Sequence, residues 1–337
     1  MAWDDLSSVV KSHSADFKRL WRYSVGFYGV WVAHVGRQLG LFERLAKSPE
    51  SEDDLIAATD FHPPAVHAWC SAAASYGFVS KKKGGKLHLS KRMKAILVDR
   101  RSPDYLGGQF SYLALRSLEY SGFEDLFRSG RARDMAFTFE AIEQATDWDH
   151  YAFLAAVRRD KKPHSLLSRG CRLLDVGCGT GSLLAKLHDT YPRSSLVGVD
   201  PSEEAMRRAK KMLENRPVQI MKMEGEAMRF EGEFDIACFS ESLSPAKDKQ
   251  KVMSNCYRVL KRGGTIAIVE GLMPPKRDDG DDDDEHRLIM GMQLDFALQG
   301  HKFMTRSEVA GLLKDAGFSK PRFADLGGSV YLVTAIK

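Results

Sequence analysis

No stretch of this 337-residue chain approaches the roughly 18 uninterrupted apolar residues of a membrane-spanning helix. The opening residues, MAWDDLSSVVKSHSADFKRL, mix both charge signs into an apolar pattern and contain no signal-peptide core. Together these absences lead us to expect a cytoplasmic protein with no membrane partner. Cysteine is scarce: five residues, Cys70, Cys171, Cys178, Cys238 and Cys256, odd in number, widely spaced and without any C-x-x-C pair. That excludes a disulfide framework and the usual metal or redox spacing, and leaves reduced core thiols. Charge of one sign is lacking too, because 50 Lys and Arg stand against 45 Asp and Glu for a net +5. A balance so modest does not argue for nucleic acid as a partner.

What is present is enough chain for two domains, each able to bury its own core. We place the division at 158/159. Residues 1–158 read as helical apart from one hairpin. YSVGFYGVWVAHVGRQLGLFERLA sets Val25, Tyr28, Val32, Val35, Leu39 and Leu41 at helical spacing, too apolar for a lone surface helix, and so predicts packing against another helix, within the chain or from a second subunit. Ser51 with Asp54 forms a capping box, Pro63-Pro64 opens a second helix, and FVSKKKGGKLHLS alternates around Gly84-Gly85 as a hairpin. Helix, turn, helix and hairpin is a winged-helix order. Lys81, Lys82 and Lys83 sit in the wing, yet the second helix begins Pro64-Ala65-Val66-His67-Ala68-Trp69, with almost nothing to read base edges. Dimerisation or substrate capping is therefore the expected role, with a cofactor-sensing DNA-binding regulator as the competing one.

From residue 170 onward, short apolar runs alternate with amphipathic segments, as in a parallel sheet with helical crossovers. Strands are predicted at RLLDV, SLVGVD, VQIMKM, FDIACF, TIAIVE, RFADL and VYLVTAI, and helices over 201–213, 247–260, 286–298 and 307–316. Only Gly327-Gly328 joins the last two strands, so they must pair antiparallel. The predicted class is α/β: a Rossmann-like sheet of seven strands, the last antiparallel, behind a mainly helical N-terminal domain.

RLLDVGCGTGSL places Gly177, Gly179 and Gly181 between a strand and a helix, where backbone N–H groups face a ligand. A dinucleotide fingerprint is G-x-G-x-x-G; here the last position holds Ser182 and the spacing is G-x-G-x-G. Asp175, just before the first glycine, would repel a pyrophosphate and attract the ammonium of a methionine moiety. Both features disfavour a nicotinamide-dependent dehydrogenase. Asp200, about twenty residues on, suits the two ribose hydroxyls, and Glu226 after the third strand suits an adenine amino group.

With this ordered series in place, followed by FDIACFSESL, YRVLKRGGTIAIVE and LLKDAGF, the chain resembles the class I S-adenosylmethionine-dependent methyltransferases over roughly residues 170–337. With its N-terminal part it is similar to the small-molecule O-methyltransferases that dimerise through a winged-helix domain. The resemblance implies S-adenosylmethionine as cofactor, a homodimer, and cofactor contacts from Asp175, Gly177 and Gly179, from Asp200, from Glu226 with Ala227, and from Ser240. It also implies a histidine base shortly after the fourth strand, and CFSESLSPAKDKQ has none. Either Glu241 takes that role, should burial raise its pKa, or the acceptor needs no base, as with a thiolate, a carboxylate, an activated carbon, or the thioether of a methylthio-hydroxy acid.

Further candidates flank the cofactor segments. ATDWDHYAFLAAV offers Trp148, His150, Tyr151 and Phe153: His150 as base or substrate donor, Tyr151 or Phe153 as a cover for the methionine end or as packing. MGMQLDFALQGHKFMT offers Met290, Met292, Phe296, His301, Lys302 and Phe303 at the pocket roof implied by the resemblance, with His301 and Lys302 facing a ligand. Phe27, Tyr28 and Trp31 would reach a partner subunit's pocket. The carboxylates of the run KRDDGDDDDEHR are of the right type for a divalent cation, but the spacing is not that of an EF-hand loop and a like-charge run reads as a solvated pocket-edge loop, so no metal is expected.

Overall fold

The computed structural model describes residues 14–82, 84–102, 104–121, 123–130, 138–274 and 284–337. The opening thirteen residues, Lys83 of the wing and most of the acidic run lie outside them. The chain falls into two compact units, Met1–Ser117 and Leu118–Lys337.

In the first unit, α1 (Ala15–Gln38) is followed by α2 (Leu41–Leu45), α3 (Glu52–Ala57), α4 (Pro63–Ser75), the antiparallel pair β1 (Ser80–Lys81) and β2 (Leu87–His88), α5 (Lys91–Leu97) and α6 (Gly107–Glu119). The capping box is present: the Ser51 hydroxyl accepts from the Asp54 N–H at 3.1 Å and the Asp54 carboxylate from the Ser51 N–H at 3.1 Å. Leu41, Phe42, Leu45, Leu55, Val66 and Trp69 form the core. Gly36 lets α1 approach it, since a Cβ there would lie 2.6 Å from Phe42 and from Trp69. The apolar stripe read from α1 is only half used: Val32 and Val35 pack on this core, while Val25, Tyr28 and Leu39 are exposed, Tyr28 by 65%. The wing's Lys81 is held by Glu52 at 2.9 Å, and Glu52 also meets His67 at 2.7 Å, so the Lys81 charge is paired within the unit.

The second unit contains α7 (Phe123–Ser129), α8 (Thr138–Arg159), α9 (Lys161–Arg169), β3 (Arg172–Val176), α10 (Ser182–Thr190), β4 (Ser195–Asp200), α11 (Glu203–Met212) and β5 (Gln219–Lys222). There follow β6 (Phe234–Ser240), α12 (Lys249–Val259), β7 (Leu260–Met273), α13 (Asp284–Leu298), β8 (Met304–Thr305), α14 (Arg306–Asp315), β9 (Arg322–Gly327) and β10 (Val330–Ile336). The sheet runs β5-β4-β3-β6-β7-β10-β9, with β10 antiparallel to both neighbours. The seven predicted strands are all there; the two-residue β8, which pairs with the end of β7, is an addition too short to leave an alternating signal.

Alternation along the strands divides the core. Leu174, Val176, Val197, Val199 and Phe239 face α12 and α14, while Leu173, Leu196, Ile236 and Cys238 face α8, α9, α10 and α11. Both faces are covered, which is why these strands read as nearly continuous apolar runs. Phe153, Leu154 and Val157 of α8 belong to the second of these layers. The division at 158/159 is therefore corrected: α8 is polar enough to resemble a connecting helix, but its buried face is part of the second unit.

Candidate functional site

Strand order reverses direction at β3 and β6: β4 and β5 extend to one side of β3, and β7 follows β6 on the other. In open α/β sheets such a switch leaves a crevice beyond the carboxyl ends of the strands, because the crossover helices go to opposite faces. A cavity of about 320 Å³ lies there, lined by the ends of β3, β4 and β6, the glycine loop, the start of α10, residues after β5 and one side of α8.

The loop's three glycines do different work. Gly177 (φ 75°) lines the cavity, and a Cβ on it would sit 2.5 Å from the Ser242 Cβ, so both backbone and space demand glycine. Gly179 (φ 53°) has open space where a Cβ would point, and its N–H donates to the Asp200 carboxylate at 3.0 Å. Gly181 does not line the cavity. It is the left-handed N-cap of α10 and packs on Leu213, so its assignment as a cofactor contact is corrected to a turn and packing role. Close helix–strand approach, which a dinucleotide fold obtains from its third glycine, comes here from Gly198 of β4. A Cβ there would meet Leu184 of α10 at 2.6 Å.

The wall is acidic. Glu143, Asp175, Asp200, Glu226 and Glu241 line it, and among the described residues no Lys or Arg does. Asp175 is 2% exposed; burial pushes its carboxyl up to about 7, a contact with the Cys238 thiol at 3.8 Å offsets this slightly, and nearby Asp200 adds to it. Asp200 is raised by burial against the N–H donors of Ser202 at 2.8 Å and Gly179. A buried carboxyl raised further by a neighbouring acid is relieved by a cationic ligand and set against a pyrophosphate. Ser240 adds a buried hydroxyl with no hydrogen-bond partner on the same wall.

Residues 174–268 match the family model described as a methyltransferase domain. Sterol 24-C-methyltransferase of Debaryomyces hansenii is 31% identical over 238 residues, 68% of this chain and 58% of the relative. The demethylmenaquinone methyltransferase of Thermus thermophilus is 30% identical over 108 residues, 31% of this chain and 49% of that one. The chain thus spans about half the length of the curated relatives it matches. The second unit is a class I methyltransferase domain. Its fold with the first unit included is that of the human N-acetylserotonin methyltransferase solved in complex with SAM, at TM-score 0.70, 19% identity, and 97% and 99% of the two chains. The pyocyanin biosynthetic protein PhzM is alike in fold, at TM-score 0.71 and 16% identity over 96% and 99%.

The methyltransferase domain's side chains fit S-adenosylmethionine. Asp175 would hold the ammonium, Asp200 the ribose hydroxyls, Glu226 the adenine side, and the orphaned Ser240 hydroxyl has an acceptor or donor to find. Glu226 is already drawn toward the Asp248 N–H at 3.1 Å. Ala227 is exposed and off the cavity, so it is removed from the contact set.

Just past β6, Glu241 adopts φ 52°, rare for a residue with a side chain, and its Oε1 accepts from the Gly271 N–H at 2.8 Å. Glu270, on β7, is buried and accepts from the N–H groups of Leu243 at 2.6 Å and Ser244 at 3.3 Å and from the Ser244 hydroxyl at 3.0 Å. Burial pushes its carboxyl up to about 7, against the opposing pull of these three donors. Burial, Glu270 and then Asp149 of α8 push the Glu241 carboxyl well above the usual range, and burial followed by Glu270 raises Asp149. The Glu241 carboxyl is thus shifted toward its protonated form, and Glu270 fixes the loop that presents it.

The other candidates divide between this cavity and the rest of the chain. His150 lines the cavity and is 6% exposed. Tyr151 does not line it and carries the Lys186 ammonium 5.4 Å above its ring; Phe153 is core; and Trp148 approaches Gly327. Phe296 stacks on Phe303 at 4.2 Å, and neither they, Met292 nor His301 reaches this cavity. His301 is half-buried, its pKa lowered by that burial. Tyr28 is a surface residue of the first unit. Sequence reasoning named His150 but missed Ile142 and Thr146, which stand eight and four residues before it on the same side of α8. That spacing was visible, but the aromatic residues beside it drew the assignment.

Proposed function

We propose that the chain transfers the methyl group of S-adenosylmethionine to a small-molecule acceptor. The observation that carries this is the cavity lined, among the described residues, by five carboxyls and no Lys or Arg behind a G-x-G-x-G loop. Bound there, the cofactor supplies an electrophilic methyl for in-line displacement; Asp175, Asp200 and Glu226 fix its orientation, and Glu241 borders the space for the acceptor. The direct test is a methyl-transfer screen across thiols, thioethers, activated carbon nucleophiles and phenols, with transfer to at least one class expected and none to any of them counting against the proposal.

We favour an acceptor that needs no proton removed in the site, such as a thioether, a thiolate or an activated carbon, because the segment after β6 lacks histidine and burial shifts Glu241 toward its protonated form. A protonated carboxyl orients such an acceptor by donating a hydrogen bond. O-methylation with Glu241 as general base is the second reading. Glu241→Gln separates them: a turnover loss of under about tenfold fits donation, whereas loss of a general base costs about 10²–10⁴. Cofactor affinity should be unchanged in either case.

The first unit, winged-helix in order, serves in this proposal as a dimerisation and pocket-capping domain. Support comes from α1, where Leu20, Trp21 and Tyr28 are 56%, 59% and 65% exposed, more apolar surface than a helix normally leaves to water. Light scattering at micromolar concentration should return the mass of a dimer; a monomer would remove this role.

A further inference from the structure

A polar relay runs behind the glycine loop. Lys186 of α10 has three N–H donors and three acceptors around it: Asp147 Oδ1 at 2.9 Å, Ser182 Oγ at 2.6 Å and His150 Nδ1 at 3.4 Å. An ammonium only donates, so Nδ1 of His150 is the acceptor. Burial and the neighbouring Lys186 keep the ring neutral, its pKa well below the usual value. A neutral ring whose Nδ1 accepts carries its proton on Nε2. His150 is 6% exposed, lines the cavity, and its Nε2 has no hydrogen-bond partner among the described residues. An N–H donor on a nearly buried ring that lines the cavity points to a ligand acceptor.

Position says which acceptor. His150 stands beside Ser182, the first residue of the nine-residue α10, whose N-cap is Gly181 and offers no side-chain acceptor to the first-turn N–H groups. That end of the cavity therefore presents several N–H donors and the positive end of a helix, with the Lys186 charge one shell behind. Asp175, on the central strand, offers the complementary acid. An amino-acid zwitterion fits the two together, ammonium on Asp175 and carboxylate on the α10 N-terminus.

Building on the proposed cofactor, we infer that His150 Nε2–H is the side-chain donor to the carboxylate of its methionine end, with Lys186 and Asp147 as positioning residues that fix the ring's tautomer. This gives His150 a binding role in place of the base or substrate-donor role that sequence suggests.

The test is calorimetric titration with S-adenosylmethionine and with decarboxylated S-adenosylmethionine, which keeps the ammonium and lacks only the carboxylate. Wild type should prefer the first. His150→Leu should weaken that ligand by about 10–100-fold, as expected for loss of a charge-assisted hydrogen bond, and leave the decarboxylated ligand within about twofold. His150→Gln, whose amide nitrogen reaches the Nε2 position, should keep most of the preference, and His150→Asn should lose it. The Gln and Asn pair decides the matter if the Leu variant fails to fold. Equal losses for both ligands, no preference in wild type, or Gln and Asn behaving alike would overturn the inference. Failure of wild type to bind either ligand would instead overturn the cofactor proposal itself.

Discussion

Asp175→Asn is expected to weaken S-adenosylmethionine by about 30-fold or more at pH 8, the scale of a lost buried, charge-assisted contact, while making the ligand-free protein more stable. Both effects have one cause. Buried beside Asp200 and without a counter-cation, the Asp175 carboxyl titrates at about 7 rather than the ordinary 3.8. A carboxyl raised in the folded state binds its proton more tightly there than in the unfolded chain, so folded stability falls as pH climbs from about 4 to about 7 and stays low above that. The penalty is at most on the order of 4 kcal/mol for a shift of this size. Asn carries no charge and escapes it, so thermal unfolding of the variant at pH 8 should come at a higher temperature. The cationic ligand needs the ionised acid. In wild type, affinity should therefore fall by up to tenfold per pH unit below about 7, with proton uptake on release, and in the Asn variant it should be flat. A variant that loses affinity and stability together would mean that Asp175 is an ordinary structural acid.

Asp200→Ala should all but abolish cofactor binding, with a loss of about 100-fold or more for two or three charge-assisted hydrogen bonds. Asp200 has a double duty that makes the loss larger than a ribose contact alone. Its Oδ2 takes the Gly179 N–H and its Oδ1 the Ser202 N–H, so its removal also releases the loop that shapes the cavity. Asp200→Asn should be nearly as poor, because one amide oxygen cannot accept all of these. Unchanged titrations with either variant would detach Asp200 from the site.

Much of the second unit was legible because its strands are buried on both faces and announce themselves as short apolar runs, and because positive-φ glycines cannot be replaced cheaply at Gly177. The antiparallel final pair followed from a two-residue link that leaves no room for a crossover. What escaped sequence reading depends on tertiary placement. Gly181 looks identical to Gly177 in sequence, yet it turns away from the cavity and onto Leu213. α8 was assigned to the wrong domain because a helix's partner is not written in its own spacing. Glu270 ended a predicted strand, and an acid closing an apolar run was the signal that a buried carboxylate held the neighbouring loop. Glu241 was singled out for standing where a histidine was expected; its effect on protons depends on Glu270 and Asp149, which only the fold brings near.

The most direct measurement is a calorimetric titration of the wild-type protein at pH 8 with S-adenosylmethionine and, in parallel, with NADH. The acidic cavity should bind the sulfonium cofactor at one site per chain and give no heat with the dinucleotide. Binding of NADH, or none of S-adenosylmethionine, would contradict the assignment of this cavity.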